Sequence, residues 1–542
     1  MAARVTRWAC VAAACLLALL AGARLARGAP GSSSTSRVGE VFVEIFDVFD
    51  APLAGPWNSL SRAANFLHAR TREAIVRREL LFHAGDPFDP EALKQSERNL
   101  RALGLFRRVS VEALSPDRGV VPVRVRVHDA WSLSADATFK REGGFSTYGF
   151  RFREKNLAGL GVNVAMRDAV SFERRTVEAS FSDSRFFGTR ERIGAKYSAL
   201  SDGILREVAL SRPFYELDSA SGHDLLWRNT RERYRTYENG EVFHEYDLHA
   251  VDVSAGALAR IGAGAPASAW RAGGGYRYVA REFDVTPMAP ATDMVDMPPS
   301  RRWGGPFAAV QFVQHRYLKR DDLIVPDRDV DFNLGLVVTA DVFMSSPATG
   351  PATGHRLLAA ASVERGWELP ASSLAMVSVS ASGEATGGLP ARGDVGAAVR
   401  AWWPHSPTHV TAFFAAGHAF LKPERGTFEY LGGSLGLRGF REQQFAGTRS
   451  FLFIVEQRKY LEWRPAGLFR PGVAAFAEIG AIGGVARPGS RPLHGDVGVG
   501  LRLVSLRAGL PAVVQLDVAV PVGERIRGLS AAQFVVGFRH DF

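Results

Sequence analysis

Gly432-Gly433-Ser434-Leu435-Gly436 spells the GxSxG pattern in which many serine hydrolases carry their nucleophile. That chemistry needs the serine on a sharp strand-to-helix turn, with an acid and a histidine converging on it. Here Arg438-Gly439-Phe440 follows at once and no helical periodicity comes after, so the pattern is not read as an active site. His244, Glu245 and His249 are residue types that bind zinc, but the two histidines are five apart. A zinc-binding helix needs a spacing of four, which puts both rings on one face. Gly273-Gly274-Gly275 precedes Tyr276 and reads as the entry to a strand rather than a phosphate cradle. No catalytic, metal or cofactor constellation emerges, and the chain is not read as an enzyme.

The elements around these residues explain why. The single long apolar run, Trp8 to Ala23, follows Arg4 and Arg7 and precedes the small residues Ala26 and Gly28. It is shorter than the ~20 residues a spanning helix needs, and its layout is that of an export leader, assigned to residues 1–28. Both cysteines of the chain, Cys10 and Cys15, lie inside it. An exported chain without disulfides must find its stability elsewhere, and a closed hydrogen-bonded barrel is one way. The formal charge of +10 would suit nucleic acid. The arginines, however, are scattered through alternating strands rather than clustered on a helix, so nucleic-acid binding is not expected.

Residues 29–37 read as a polar linker and 38–130 as a small mixed domain. Val38–Phe49 is strand-like. Thr71 offers an N-cap to a first helix. Asp89 caps a second, with Pro90 at its first position, Leu93, Leu100 and Leu103 on one stripe, and Gly104 at its end. Two alternating strands follow, Arg107–Leu114 and Val120–His128. From 131 to 542 helical periodicity is nearly absent. Segments of alternating polarity are separated by Gly, Asp, Pro and Ser. Ile193, Ala195, Tyr197 and Ala199 oppose Arg192, Lys196 and Ser198; Val473, Ala475, Ala477 and Ile479 oppose Ala474, Phe476, Glu478 and Gly480. One apolar and one polar face per strand fits a transmembrane barrel with a wet interior, of about 16 strands and at most about 20. Residues 223–249 could be barrel or loop, and 282–304 reads as a long surface loop.

Several stretches resemble the BamA/TamA superfamily of outer-membrane assembly and translocation barrels. TREAIVRRELLFHAGDPFDPEALKQSERNLRALGLFRRVSVEA is similar to a POTRA (polypeptide-transport-associated) repeat, with its Arg78-Glu79 pair, Gly85 and the Leu103-Gly104-Leu105-Phe106 turn. EKNLAGLGVNV, DSRFFGTRERIGAKY and LSRPFY resemble the family's opening strands. Leu437-Arg438-Gly439-Phe440 matches its lid-loop motif, usually VRGF or VRGY. The end of the chain, with Gly537, Phe538 and the terminal Phe542, looks like a barrel sorting signal. There are departures: one POTRA-like unit fits where the central assembly factor has several, and Glu478 stands where the family usually shows Asp.

The resemblance implies a mainly β protein, a C-terminal transmembrane antiparallel barrel (131–542) preceded by one α+β POTRA domain. It implies a place in the outer membrane of a Gram-negative cell, with the POTRA domain in the periplasm. No cofactor is implied. The implied partners are outer-membrane lipids, unfolded outer-membrane or secreted clients docking on the POTRA unit, and periplasmic accessory proteins. The implied function is assistance in inserting or translocating other proteins; a porin-like or lipid-handling channel is the alternative. In the family the lid loop folds into the barrel and its arginine meets wall carboxylates. Glu456 and Glu478 occupy the matching positions here, on strand faces that should point into the lumen.

Overall fold

The structure is a computed structural model. It describes residues 36–539 except 50–57, 60–61, 63–64, 67, 143–144, 218, 239, 263–266, 286–296, 322, 324–328, 351–353, 387–388, 425, 485–492, 507–512 and 524–528. The leader at 1–28, nearly all of the linker and Phe542 lie outside the described residues.

The small domain runs β1 (Arg37–Phe46), α1 (Glu73–Glu79), α2 (Pro90–Ala102), β2 (Phe106–Ala113) and β3 (Val120–Asp129). Its sheet has the order β1-β3-β2, with β1 parallel and β2 antiparallel to the central β3. Sequence dictates most of this. Asp89 accepts the Glu91 amide at the start of α2, beside Pro90, which loses no hydrogen bond there because first-turn amides have no helical partner. The helix stops at Gly104, whose φ of +66° suits glycine. The apolar stripe of α2 meets the inner face of β3: Leu93, Leu100, Val123, Val125 and Val127 are buried in one cluster with Ile75 of α1. Leu100 is fully buried. Leu100→Ala should destabilise the domain by about 2–5 kcal/mol, through lost burial plus the cavity left behind. Urea denaturation of the soluble fragment 38–129 measures this, and a loss below about 1 kcal/mol would show that the stripe is not core.

Thr71 does not cap α1, contrary to expectation. Arg72 holds the cap position without a side-chain cap bond. Thr71 instead donates its amide (2.8 Å) and hydroxyl (2.7 Å) to the buried Asp129 at the end of β3. Asn156, at the first near-side turn of the barrel, donates to the Thr71 hydroxyl at 2.8 Å. Arg185, in another near-side turn, donates a two-pronged fork to Glu79 of α1, and its guanidinium lies 4.2 Å from the Tyr215 ring centre. These polar contacts tie the small domain to one rim of the barrel.

The barrel is a single closed antiparallel sheet from Leu133–Glu142 to Gln533–Arg539. It has twenty strands among the described residues, not 16. Part of the difference lies in the ambiguous region: Ser221–Glu238 and Glu241–Ile261 are barrel strands of 18 and 21 residues, paired along their full length. Their many charges pair across the strands, as Arg233 and Arg235 do with Glu245, rather than marking a loop. The loop read into 282–304 is also shorter, since its two ends belong to the strands Ser268–Val285 and Arg301–Gln314.

Large apolar side chains line the outside at every second position: Phe150 and Phe152, Val177 and Phe181, Leu225 and Trp227, Val497 and Val499 are all exposed. An apolar belt on that scale is unstable in water and fits a hydrocarbon surround. The strand directions put successive turns on alternate rims. The hairpin 315–336 lies on the rim that carries the small domain. The long segment 422–448 leaves the fifteenth strand of the ring, His409–Leu421, on the far rim.

Candidate functional site

The far-rim segment folds back as a lid. A short ribbon pairs Glu429–Leu431 with Phe445–Gly447, and a single turn of 3₁₀ helix spans Gly433–Leu435. The reversal needs left-handed backbone at several points: Gly432 (φ +116°), Gly433 (+63°) and Gly436 (+102°) supply it without steric cost. Leu437 adopts φ +66° as well, which is uncommon for a branched side chain and costs of order 1–3 kcal/mol. Packing holds it there. Leu437 is fully buried in a cluster with Leu431, Phe440, Leu452, Ile454 and Ile482.

This turn aims Arg438 at the barrel wall. The residue is 1% exposed, and its guanidinium makes three separate contacts: Nε donates to Glu478 Oε1 at 2.7 Å, Nη1 to Asp517 Oδ2 at 2.7 Å, and Nη2 to Glu456 Oε2 at 2.8 Å. The Arg438 amide also donates to Glu478 Oε2 at 2.7 Å, and the guanidinium carbon stands 3.8 Å from the Phe476 ring centre. Next along the tip, the Gly439 amide donates to Asp496 Oδ2 at 3.0 Å. The four carboxylates come from four successive strands, Arg449–Tyr460, Phe469–Gly483, Leu493–Ser505 and Val513–Val522. Two wall arginines neutralise them further: Arg458 and Arg502 both bind Glu456, at 2.8 and 3.0 Å, and Arg502 also binds Asp517. Buried charges persist only when paired and hydrogen-bonded: Glu456, Glu478 and Asp517 each meet a guanidinium, while Asp496 accepts from the Gly439 amide.

The structure thus brings Leu437, Arg438, Gly439, Phe440, Glu456 and Glu478 together at one point of the inner wall. Phe440 seats beside Phe445, ring centres 5.1 Å apart, and is 2% exposed. Gly537 and Phe538 lie apart from this site on the last strand, while Phe542 lies outside the described residues. Sequence reading missed Asp496, Asp517, Arg458 and Arg502. A usable signal existed: each is a charged residue at an inward-facing position of its strand, by the same alternation that marks Glu456 and Glu478. The lid is also held from the wall of the long strands: Tyr430 Oη accepts the Tyr237 amide at 3.2 Å, and Tyr234 Oη donates to the Gly426 carbonyl at 2.8 Å.

The other candidate residues lie elsewhere in the fold. Ser434 is exposed on the lid, its hydroxyl and amide both held by Glu442. His244 and His249 share one strand at odd spacing, which turns them to opposite faces. Gly273, Gly274 and Gly275 lie within the strand Ser268–Val285. Among the described residues no group of three or more metal-ligating side chains occurs.

Comparison with known proteins matches residues 65–129 to the POTRA family, described as a surface antigen variable number repeat. The outer membrane protein assembly factor BamA of Neorickettsia risticii (strain Illinois) is 27% identical over 131 residues, 24% of this chain. The aligned part spans only 18% of that relative's length. Among solved structures, CdiB from Escherichia coli gives a TM-score of 0.47 at 11% identity, covering 93% of this chain and 76% of that one. BamA from Haemophilus ducreyi lacking POTRA domains 1–3 gives 0.39 at 10% identity, covering 92% and 84%. The FrpB iron transporter of Neisseria meningitidis gives 0.41 at 9% identity, covering 92% and 91%. The matches therefore place a POTRA domain at residues 65–129, ahead of a closed antiparallel β-barrel, and the stretch shared with BamA is 24% of the chain.

Proposed function

We propose that this chain works in the outer membrane, with residues 38–130 in the periplasm and the barrel 131–542 in the bilayer, and that it helps insert or translocate other polypeptides. The observation that carries the reading is the lid: an arginine-tipped loop docked on four wall carboxylates, in a barrel that also carries a POTRA domain. A loop anchored by so specific a fork has two definable positions, on and off the wall, as a gated conduit needs. The POTRA sheet supplies the docking site. Strands β1 and β2 are its edges, and an extended client segment can add to either through main-chain hydrogen bonds. The exposed apolar belt takes outer-membrane lipid.

A porin-like channel is the competing reading. A constitutively open pore would have no use for a loop clasped to its inner wall by a buried charge cluster. The test is depletion of the protein followed by a quantitative inventory of the outer-membrane proteome. Loss of a defined set of barrel or secreted proteins, with solute uptake unchanged, is the expected result. Unchanged protein composition with impaired solute uptake would establish the channel instead.

A further inference from the structure

A two-stranded hairpin ladder between the strands Arg301–Gln314 and Val337–Ser345 has no part in the lid. Its two short strands, Tyr317–Asp321 and Asp329–Asn333, pair antiparallel, with Leu318 opposite Phe332 and Lys319 opposite Asp331. Cross-strand partners share a face, so the hairpin has two unlike sides. Leu318, Val330 and Phe332 form one; Tyr317, Lys319, Asp329 and Asp331 form the other.

The apolar side, together with Leu323 and Leu334, packs on Leu374, Trp402, Val410 and Ala412 of the barrel wall. The Phe332 and Trp402 ring centres are 5.6 Å apart. Those wall residues face the lumen, because Val379, Val395, Val399 and Trp403 on the same strands are exposed on the outer side. An apolar patch on the inner wall of a polar-lined barrel is costly to leave wet, and the hairpin covers it. The charged side meets α2. Arg101 forks onto Asp331 at 2.7 and 2.9 Å, Lys319 lies 3.6 Å from Glu97, and the Arg98 guanidinium stands 4.5 Å from the Tyr317 ring centre. These residues flank the Leu93 and Leu100 stripe of α2, so the helix holds the domain core with one side and the hairpin with the next.

We infer that the paired strands Tyr317–Asp321 and Asp329–Asn333 are a near-rim gate of the barrel, held shut over the Leu374–Trp402–Val410–Ala412 patch and coupled to the POTRA position through the α2 ion pairs. The apolar contact sets the closed state. The charged contact makes the gate follow the domain, since a displacement of α2 must either break the Arg101–Asp331 fork or pull the hairpin from the wall. The device works the same way whether the cargo is a polypeptide or a small solute, so it does not rest on the proposed function.

The test uses full-length protein reconstituted in lipid, with Cys10 and Cys15 changed to serine. Ala412→Cys reports the covered patch, and Ala398→Cys, an inward-facing position farther along the wall, reports general loosening. Asp331→Arg sets like charges against each other at α2. It should raise the maleimide labelling rate at position 412 roughly tenfold, within the span of ordinary coupling factors, and leave position 398 unchanged. The charge swap Arg101→Asp with Asp331→Arg should restore slow labelling. Arg101→Gln is the milder variant, should the reversal fail to assemble, and should give a smaller rise at 412 only. An unchanged rate at 412, an equal rise at both positions, or a charge swap that leaves 412 fast would overturn the gate.

Discussion

Arg438→Ala should release the lid at a cost of roughly 3–5 kcal/mol, the loss typical when one member of a buried ion network is removed. The structure says where the cost falls. Glu456 would keep Arg458 and Arg502, and Asp517 would keep Arg502. Glu478 would lose its guanidinium and keep only uncharged donors or acids: the amide at position 438 and the neighbouring side chain of Asp496. Adding Glu478→Gln to Arg438→Ala should therefore recover part of the loss, because it removes the stranded charge. Adding Glu456→Gln should not, since it leaves Arg458 and Arg502 short of a partner. Arg438→Lys should be clearly defective as well: one ammonium on a flexible stem cannot reach three carboxylates set around a planar fork. The measurement is protease cleavage within 422–448 on intact vesicles, alongside the temperature at which the unheated gel mobility is lost. Additive losses in both double variants, or wild-type behaviour of Arg438→Ala, would sink the clasp.

Gly439→Ala should unseat the lid through sterics alone. A Cβ at this position would stand 2.7 Å from Asp496 Cβ and 3.1 Å from the Pro521 backbone nitrogen, and neither can yield without moving its strand. The tip must lift, stretching the 3.0 Å bond from the Gly439 amide to Asp496 and drawing Arg438 off its fork. Overpacking of this kind costs about 1–3 kcal/mol by itself, and the displaced arginine adds to it. The two substitutions then act on one event: Gly439→Ala combined with Arg438→Ala should be little worse than Arg438→Ala alone in the same protease assay. A Gly439→Ala lid as protected as the wild type would mean that the tip does not sit against Asp496 and Pro521.

The class of fold and the inward-facing side of each strand are legible in the residues. Strand alternation is local, with a period of two, so Glu478 beside Ala477 and Ile479, and Glu456 beside Val455, declare their face without reference to the rest of the chain. The same holds for α2, where Asp89, Pro90, the leucine stripe and Gly104 each act within a turn or two of themselves. What local signals cannot carry is which strands become neighbours and in what register. Asp496 and Asp517 join Glu456 and Glu478 around Arg438 because Glu478 pairs with Asp496 and Gly500 with Asp517 across consecutive strands. That alignment belongs to the closed sheet. Thr71 is a sound N-cap by local rules, yet the buried carboxylate of Asp129, 58 residues away, takes its hydroxyl instead. The strand count is a matter of closure for the same reason: twenty strands share one ring, and no single segment records how many others complete it. Sequence alone determined the alternating barrel, the small α+β domain and the arginine tip of the lid. Only the tertiary structure decided the register that gathers four acids around that arginine, and the two-faced hairpin wedged between α2 and the inner wall, because both depend on contacts between residues far apart in the chain.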